Sequence, residues 1–169
     1  MKFLLDTNVL LNDFFHRHPD FGFQRIHDPE QAKQVEAHRA DIHESLLWLS
    51  LQPVTVCTSV PILSRLAALL GDLIVPPDLV LEEMTHWLSH LQLLNVTDIH
   101  LQKACNEMER ADPKIEFDDY LLHLLCAENQ VDVVVSSLPK SKSFYWPVLV
   151  FAPEKLRHMQ FTVPGQHEG

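Results

Sequence analysis

Basic residues, glycine, cysteine and long apolar runs are all scarce in this 169-residue chain. Each scarcity closes off a class. Lys and Arg number 13 against 23 Asp and Glu, a formal charge of −10 with histidine neutral. Proteins that grip phosphate chains usually carry a basic footprint. The charge therefore favours a basic partner, or carboxylates gathered around a cation. Only 4 glycines exclude collagen-like and low-complexity classes. Three cysteines, at positions 57, 105 and 126, build no disulfide framework. Each sits in an apolar segment and reads as a reduced core thiol, so a reducing cytoplasm is expected. No stretch approaches the ~18 unbroken apolar residues of a membrane span. MKFLLD lacks the apolar length of a secretory leader, because Asp6 interrupts it. There is no HExxH or other tight metal-ligand spacing.

What is present is a globular pattern. Apolar residues make up 46% of the chain, enough for one domain with a real core. KFLLD reads as a buried strand, and VLLNDFF after it has helical spacing with Asp6 or Thr7 as N-cap. His16 to Asp28 reads as a loop. Pro29 opens a long helix whose second half carries Ile42, Leu46 and Leu49 on one stripe. VTVCTS reads as a strand, and Ser59 caps a helix that stops at Gly71. Further helices are expected in DLVLEEMTHWLSHL, after Thr97, and in EFDDYLLHLLCAENQ. LLNV, VDVVVSS and PVLVFAP read as strands, with PEKLRHM as a closing helix. Strands that alternate with helices predict a three-layer α/β/α sandwich with a mostly parallel sheet of four or five strands. One domain over residues 1–159 is expected, enlarged between about His16 and Ser50, with a frayed tail at 160–169.

In such a sheet, ligands bind outside the carboxyl ends of the strands. Asp6 ends the first strand, and Ser136 ends the VDVVVSS strand. Asp118 and Asp119 start the helix that feeds the latter. Acids brought together there would repel, at about 4 kcal/mol per pair at ~4 Å and an effective dielectric of ~20. Such a cluster either protonates or binds a hard cation, for which Mg²⁺ or Mn²⁺ are suited. The alternative reading of the same residues is plain helix capping.

Three stretches together resemble PIN domains, the fold of VapC-type toxins and related ribonucleases. They are MKFLLDTNVLLNDF, EFDDYLLHLLCAENQVDVVVSSLPKSKSF and PVLVFAPEKL. VCTSVPILSRLAALLG is similar more loosely. The resemblance implies Mg²⁺ or Mn²⁺ held by Asp6 and Asp119, with Asp118 as the adjacent acid and Asn8 and Ser136 as polar groups near the ion. It implies single-stranded RNA as substrate, a homodimer, and an antitoxin whose basic segment suits so acidic a chain. The sequence departs from the pattern twice: Arg65 and Leu138 stand where acids are expected. An arginine there would neutralise Asp6 and Asp119. A catalytically inactive PIN-fold module, binding RNA or protein, is thus the second reading.

The remaining polar features read as ordinary surface. Asn12, Asp13, Glu44, Glu82 and Glu83 could replace the missing acids, but surface solvation is the default for such groups. His86 and His90 share a helix face without a third ligand. Lys140 and Lys142, beside Tyr145 and Trp146, form the only basic–aromatic cluster. Trp48 and Trp87 fit either helix seams or a dimer interface.

Overall fold

A computed structural model describes residues 1–22, 28–108, 117–137 and 149–159. Five strands form one sheet: β1 (Lys2–Leu5), β2 (Thr55–Ser59), β3 (Gln92–Leu94), β4 (Val133–Val135) and β5 (Leu149–Phe151). Their order is β3-β2-β1-β4-β5, and every described pairing is parallel. The helices are α1 (Thr7–Arg17), α2 (Pro19–Gly22), α3 (Pro29–Ser50), α4 (Val60–Asp72), α5 (Pro77–His90), α6 (Asp98–Met108) and α7 (Phe117–Glu128). A closing 3₁₀ helix spans Pro153–His158. The expected α/β sandwich is therefore the observed architecture.

The central strands explain their own composition. Phe3, Leu4, Leu5, Val133, Val134 and Val135 are at most 1% exposed, so both faces of β1 and β4 lie under other elements. Continuous apolar runs of this kind mark parallel strands covered on both sides. Leu10 and Phe14 of α1, Leu66 and Leu70 of α4, and Leu125 of α7 complete the core. α1 packs on α3 and α4, α4 on α5, and α6 on α7. In α3, Ile42 and Leu49 are buried and Leu46 partly so, as the stripe requires.

Several local expectations need correction. The stretch after His16 is not simply a loop: α1 runs on to Arg17, and α2 adds one helical turn. Helix α4 passes through Gly71 to Asp72. Ser59 holds the N-cap position of α4, yet its hydroxyl makes no capping hydrogen bond. Asp118 and Asp119 sit inside the first turn of α7, where acids favour the positive end of the helix dipole. Leu138, Lys140, Lys142, Tyr145, Trp146 and the 160–169 tail lie outside the described residues.

The cysteines divide. Cys57 and Cys126 are buried, whereas Cys105 is exposed, contrary to the reading of all three as core. Burial pushes the Cys57 thiol up to about 12. Burial, with Cys57 nearby, also raises that of Cys126. Only thiolates react readily. A thiol-specific disulfide reagent at neutral pH is therefore expected to label Cys105 alone in the native chain, and all three after denaturation. Rapid native labelling of Cys57 would contradict this packing.

Candidate functional site

The strand order reverses direction between β1 and β4, which makes their carboxyl ends a topological switch point. Leu5 pairs with Val135, and the next residue on each strand is Asp6 and Ser136. The Asp6 amide donates to the Val135 carbonyl at 3.1 Å, which carries the strand pairing one step further. Asp6 also stands at the N-cap of α1, with an extended backbone (φ −84°, ψ 159°). The sheet thus ends, and the helix begins, at the same carboxylate.

That carboxylate is held on every side. Thr7 donates its amide to Asp6 Oδ1 at 2.7 Å. Ser136 Oγ donates to Oδ2 at 2.8 Å, and Asn8 Nδ2 to the same oxygen at 3.2 Å. Asn8 Oδ1 in turn accepts the Ser137 amide at 3.2 Å, which ties α1 to the end of β4. Asp6 is 9% exposed and Ser136 is 2%. The capping reading of Asp6 holds, and the same side chain also lines a cleft.

A cleft of about 210 Å³ opens beside this group. Its polar lining is Asp6, Thr7, Asn8, Arg65, Asp118 and Asp119; its apolar walls include Leu11, Ile62, Leu69 and Leu122. Helix α7 brings Asp118 and Asp119 from more than a hundred residues away. Arg65 of α4 approaches from the third side, with Nη1 at 3.8 Å from Asp118 Oδ2. The sequence placed Arg65 among these acids, and it is there. It forms an ion pair with Asp118, and its charge also acts on Asp6. All five candidate residues, Asp6, Asn8, Asp118, Asp119 and Ser136, converge: four line the cleft, and Ser136 is bonded to Asp6. Sequence reading offered Thr7 only as an alternative cap and did not foresee the parts played by the backbone amides of Thr7 and Ser137, which no side-chain pattern announces.

Burial raises the pKa of Asp6 above its ordinary value of 3.8. Hydrogen bonds from Ser136 and Thr7 and the Arg65 charge oppose this, while the Asp119 charge adds to it. Three carboxylates against one guanidinium leave the cleft with a formal excess of two negative charges. The donors are hard oxygens, and each carboxylate oxygen can accept more than one partner. This set fits Mg²⁺ or Mn²⁺. Among the described residues no group of three or more His, Cys, Asp or Glu is close enough to cage an ion. An ion here would therefore keep several waters, as Mg²⁺ commonly does.

The proposed replacement acids lie elsewhere. Asp13 and Glu83 are not surface groups: they are 3% and 2% exposed. Arg17 Nη2 donates to both Glu83 oxygens at 2.6 and 2.8 Å, and its Nε donates to Asp13 Oδ2 at 2.8 Å. The Trp87 indole donates to Glu83 Oε1, and His43 Nδ1 lies 2.8 Å from Asp13 Oδ1. This network joins α1, α3 and α5, so Trp87 is fixed at a helix seam. Glu44 pairs with Arg157 at 2.6 Å on the surface. His86 and His90 stack at 4.5 Å.

Fold and cleft together define a PIN-like α/β architecture with an acidic pocket at the switch point of its sheet. No family model matches the chain, and no curated protein matches it. Among solved structures, the chain is similar to a chain in the crystal structure of VapBC2 from Rickettsia felis bound to a DNA fragment from their promoter. The TM-score is 0.56 at 16% identity, over 89% of this chain and 98% of that one. At that identity the likeness concerns the fold. No helix among the described residues is long and apolar enough to cross a membrane.

Proposed function

We propose that this protein is a metal-dependent endoribonuclease of the VapC-toxin type, cutting single-stranded RNA. The observation that carries this reading is the convergence of Asp6, Asn8 and Ser136 with Asp118 and Asp119 in one cleft. Asp6 and Asp119 are the residues that would hold Mg²⁺ or Mn²⁺. Such an ion, when bound, neutralises charge developing on a phosphodiester and acidifies nearby water. Asn8 and Ser136 fix the Asp6 carboxylate in one orientation, so that it faces the cleft without reorganising. Asp118, half-exposed at the mouth, assists by taking up a proton from the attacking group.

The fold neighbour is named as a VapBC2 assembly, and the charge of −10 complements a basic segment. An antitoxin with such a segment is accordingly the proposed partner, in a reducing cytoplasm, with the enzyme itself as a homodimer. The second reading is a PIN-fold module that binds without cutting. Arg65 in the cleft favours it, because a fixed cation opposes a bound one.

Incubation of the purified chain with unstructured RNA separates the two. Cleavage is expected with Mn²⁺, none with EDTA, and recovery when Mn²⁺ is restored. RNA that is bound but left intact at every Mn²⁺ concentration would overturn the enzyme reading in favour of the module.

A further inference from the structure

Three helices line the cleft, and each changes character in the same way along its length. Thr7 of α1, Arg65 of α4 and Asp118 of α7 are polar, and the residue four positions on is a leucine each time: Leu11, Leu69 and Leu122. Residues four apart share a helix face, about 6 Å apart along the axis. α1 and α4 both begin where a strand ends, and the first turn of α7 reaches the same cleft. The leucines therefore form an apolar wall about one turn beyond the polar groups. Leu125, a turn past Leu122, extends it. Leu11 and Leu69 are only partly buried, so each keeps apolar surface open to an occupant. The cleft thus has two ends, one acidic and one apolar. Its depth between them is that of a nucleotide, whose phosphate and base are separated by one sugar.

We propose that the apolar end, built by Leu11, Leu69 and Leu122, is a subsite for one unpaired nucleobase of the substrate. This rests on the ribonuclease reading, which supplies the phosphate at the acidic end. An ion held by carboxylates reads only phosphate, and paired and unpaired strands share that group. The wall is what tells them apart. A paired base is stacked on both faces, and extruding it costs a few kcal/mol. A base in an unstructured strand lays its face on the leucines at little cost. Its hydrogen-bonding edge stays toward water at the mouth, where Asp118 is half-exposed, so no polar group is buried without a partner.

The test is methyl NMR on the full chain, leucine-labelled, with Mg²⁺ present. It is titrated with adenosine 5′-monophosphate, or with ribose 5-phosphate, which has the same phosphate and sugar but no base. Phosphorus NMR follows the phosphate in both titrations. The nucleotide is expected to shift the methyls of Leu11, Leu69 and Leu122 through the ring current of its base, and ribose 5-phosphate to leave them nearly still. The nucleotide should also bind about tenfold more tightly, toward the low end of what an aromatic platform gives a base, since this wall is aliphatic. Leu11→Ala and Leu69→Ala, on different helices, should each bring that ratio toward one.

Leucine methyls that stay still while the phosphorus signal reports nucleotide binding would overturn the proposal. The metal-site reading would then stand, and the wall would be left to an apolar side chain of a protein partner. Equal shifts with ribose 5-phosphate would overturn it too, as would a ratio that both leucine variants leave unchanged. Asp6→Asn tells the two levels apart. Nucleotide-induced methyl shifts that persist undiminished in Asp6→Asn and without Mg²⁺ keep the base subsite and remove the ion from the reading. Binding of neither compound, by methyl or phosphorus signals, overturns both.

Discussion

Replacing Glu83 with alanine is expected to lower folding stability by about 3–5 kcal/mol, the usual cost of removing one partner from a buried ion pair. Both Glu83 oxygens accept from Arg17, and one accepts the Trp87 indole. Truncation leaves the indole N–H orphaned in a residue only 6% exposed. It also leaves the Arg17 charge with Asp13 alone, in a partly buried position. The loss should sit near the low end of the range, because the Arg17 side chain is 26% exposed and can turn toward water. Glu82, one residue earlier, is exposed and supplies the control. Glu82→Ala should shift stability by less than about 0.5 kcal/mol. Urea unfolding measures both: the midpoint falls and the slope stays constant if only the native contacts change. A Glu83→Ala midpoint matching that of Glu82→Ala would mean that the α1–α3–α5 network is not formed in solution. The double replacement Arg17→Met with Glu83→Leu should recover little of the loss, since it leaves the Trp87 indole unpaired and takes from the buried Asp13 carboxylate its Arg17 partner.

Glu83 also marks the boundary of what the sequence could disclose. The period of α5 places Leu79, Val80, Met84 and Trp87 toward the core with position 83 in the same stripe, but a lone carboxylate there reads as a solvated group. A buried carboxylate becomes legible only through its partner, and Arg17 is 66 residues away, at the end of α1 in a stretch that reads as loop from His16 on. The same holds for Asp13, whose partner His43 lies on α3. By contrast, the sheet was readable, since KFLL and VVV are continuous apolar runs that only a doubly covered parallel strand requires. Element order then fixed which ends share an edge. Topology allowed those ends to face one edge, and the resemblance to PIN domains was what implied that Asp6, Ser136, Asp118 and Asp119 share a site. The pairing of Arg65 with Asp118 was not legible, because a long side chain can reach several acids and the choice depends on the angle between α4 and α7.

A different balance governs Asp6→Asn, which is expected to trade function for stability. The proposed role makes Asp6 a direct ion ligand. Its loss should reduce Mn²⁺-dependent cleavage by roughly 10²–10³ or more, the scale on which a preorganised electrostatic group acts. The Mn²⁺-induced rise in melting temperature that mass action gives the parent should also vanish. The fold should not suffer in proportion. Asparagine has the same shape, caps helices as well as aspartate does, and keeps an acceptor for the Thr7 amide. One contact turns unfavourable, since two amide groups now face each other at Asn8, and this offsets part of the gain.

The gain comes from burial, and its pH dependence has a definite sign. Burial, with the Asp119 charge, holds the folded-state pKa of Asp6 above 3.8, against the opposing pull of Ser136, Thr7 and Arg65. The folded chain therefore binds this proton more tightly than the unfolded one. The stability Asp6 contributes is complete below the unfolded value and is lost as pH rises through the folded one. Above that window the parent carries a desolvated charge that the variant lacks. The difference in melting temperature between variant and parent, measured without metal, should thus be smallest at about pH 3 and shift in favour of the variant as pH rises, reaching a plateau above the folded pKa. An Asp6→Asn protein that cuts RNA at the parental rate would remove Asp6 from the site. One whose relative stability falls with rising pH would show that the hydrogen bonds and Arg65, not burial, dominate this carboxylate.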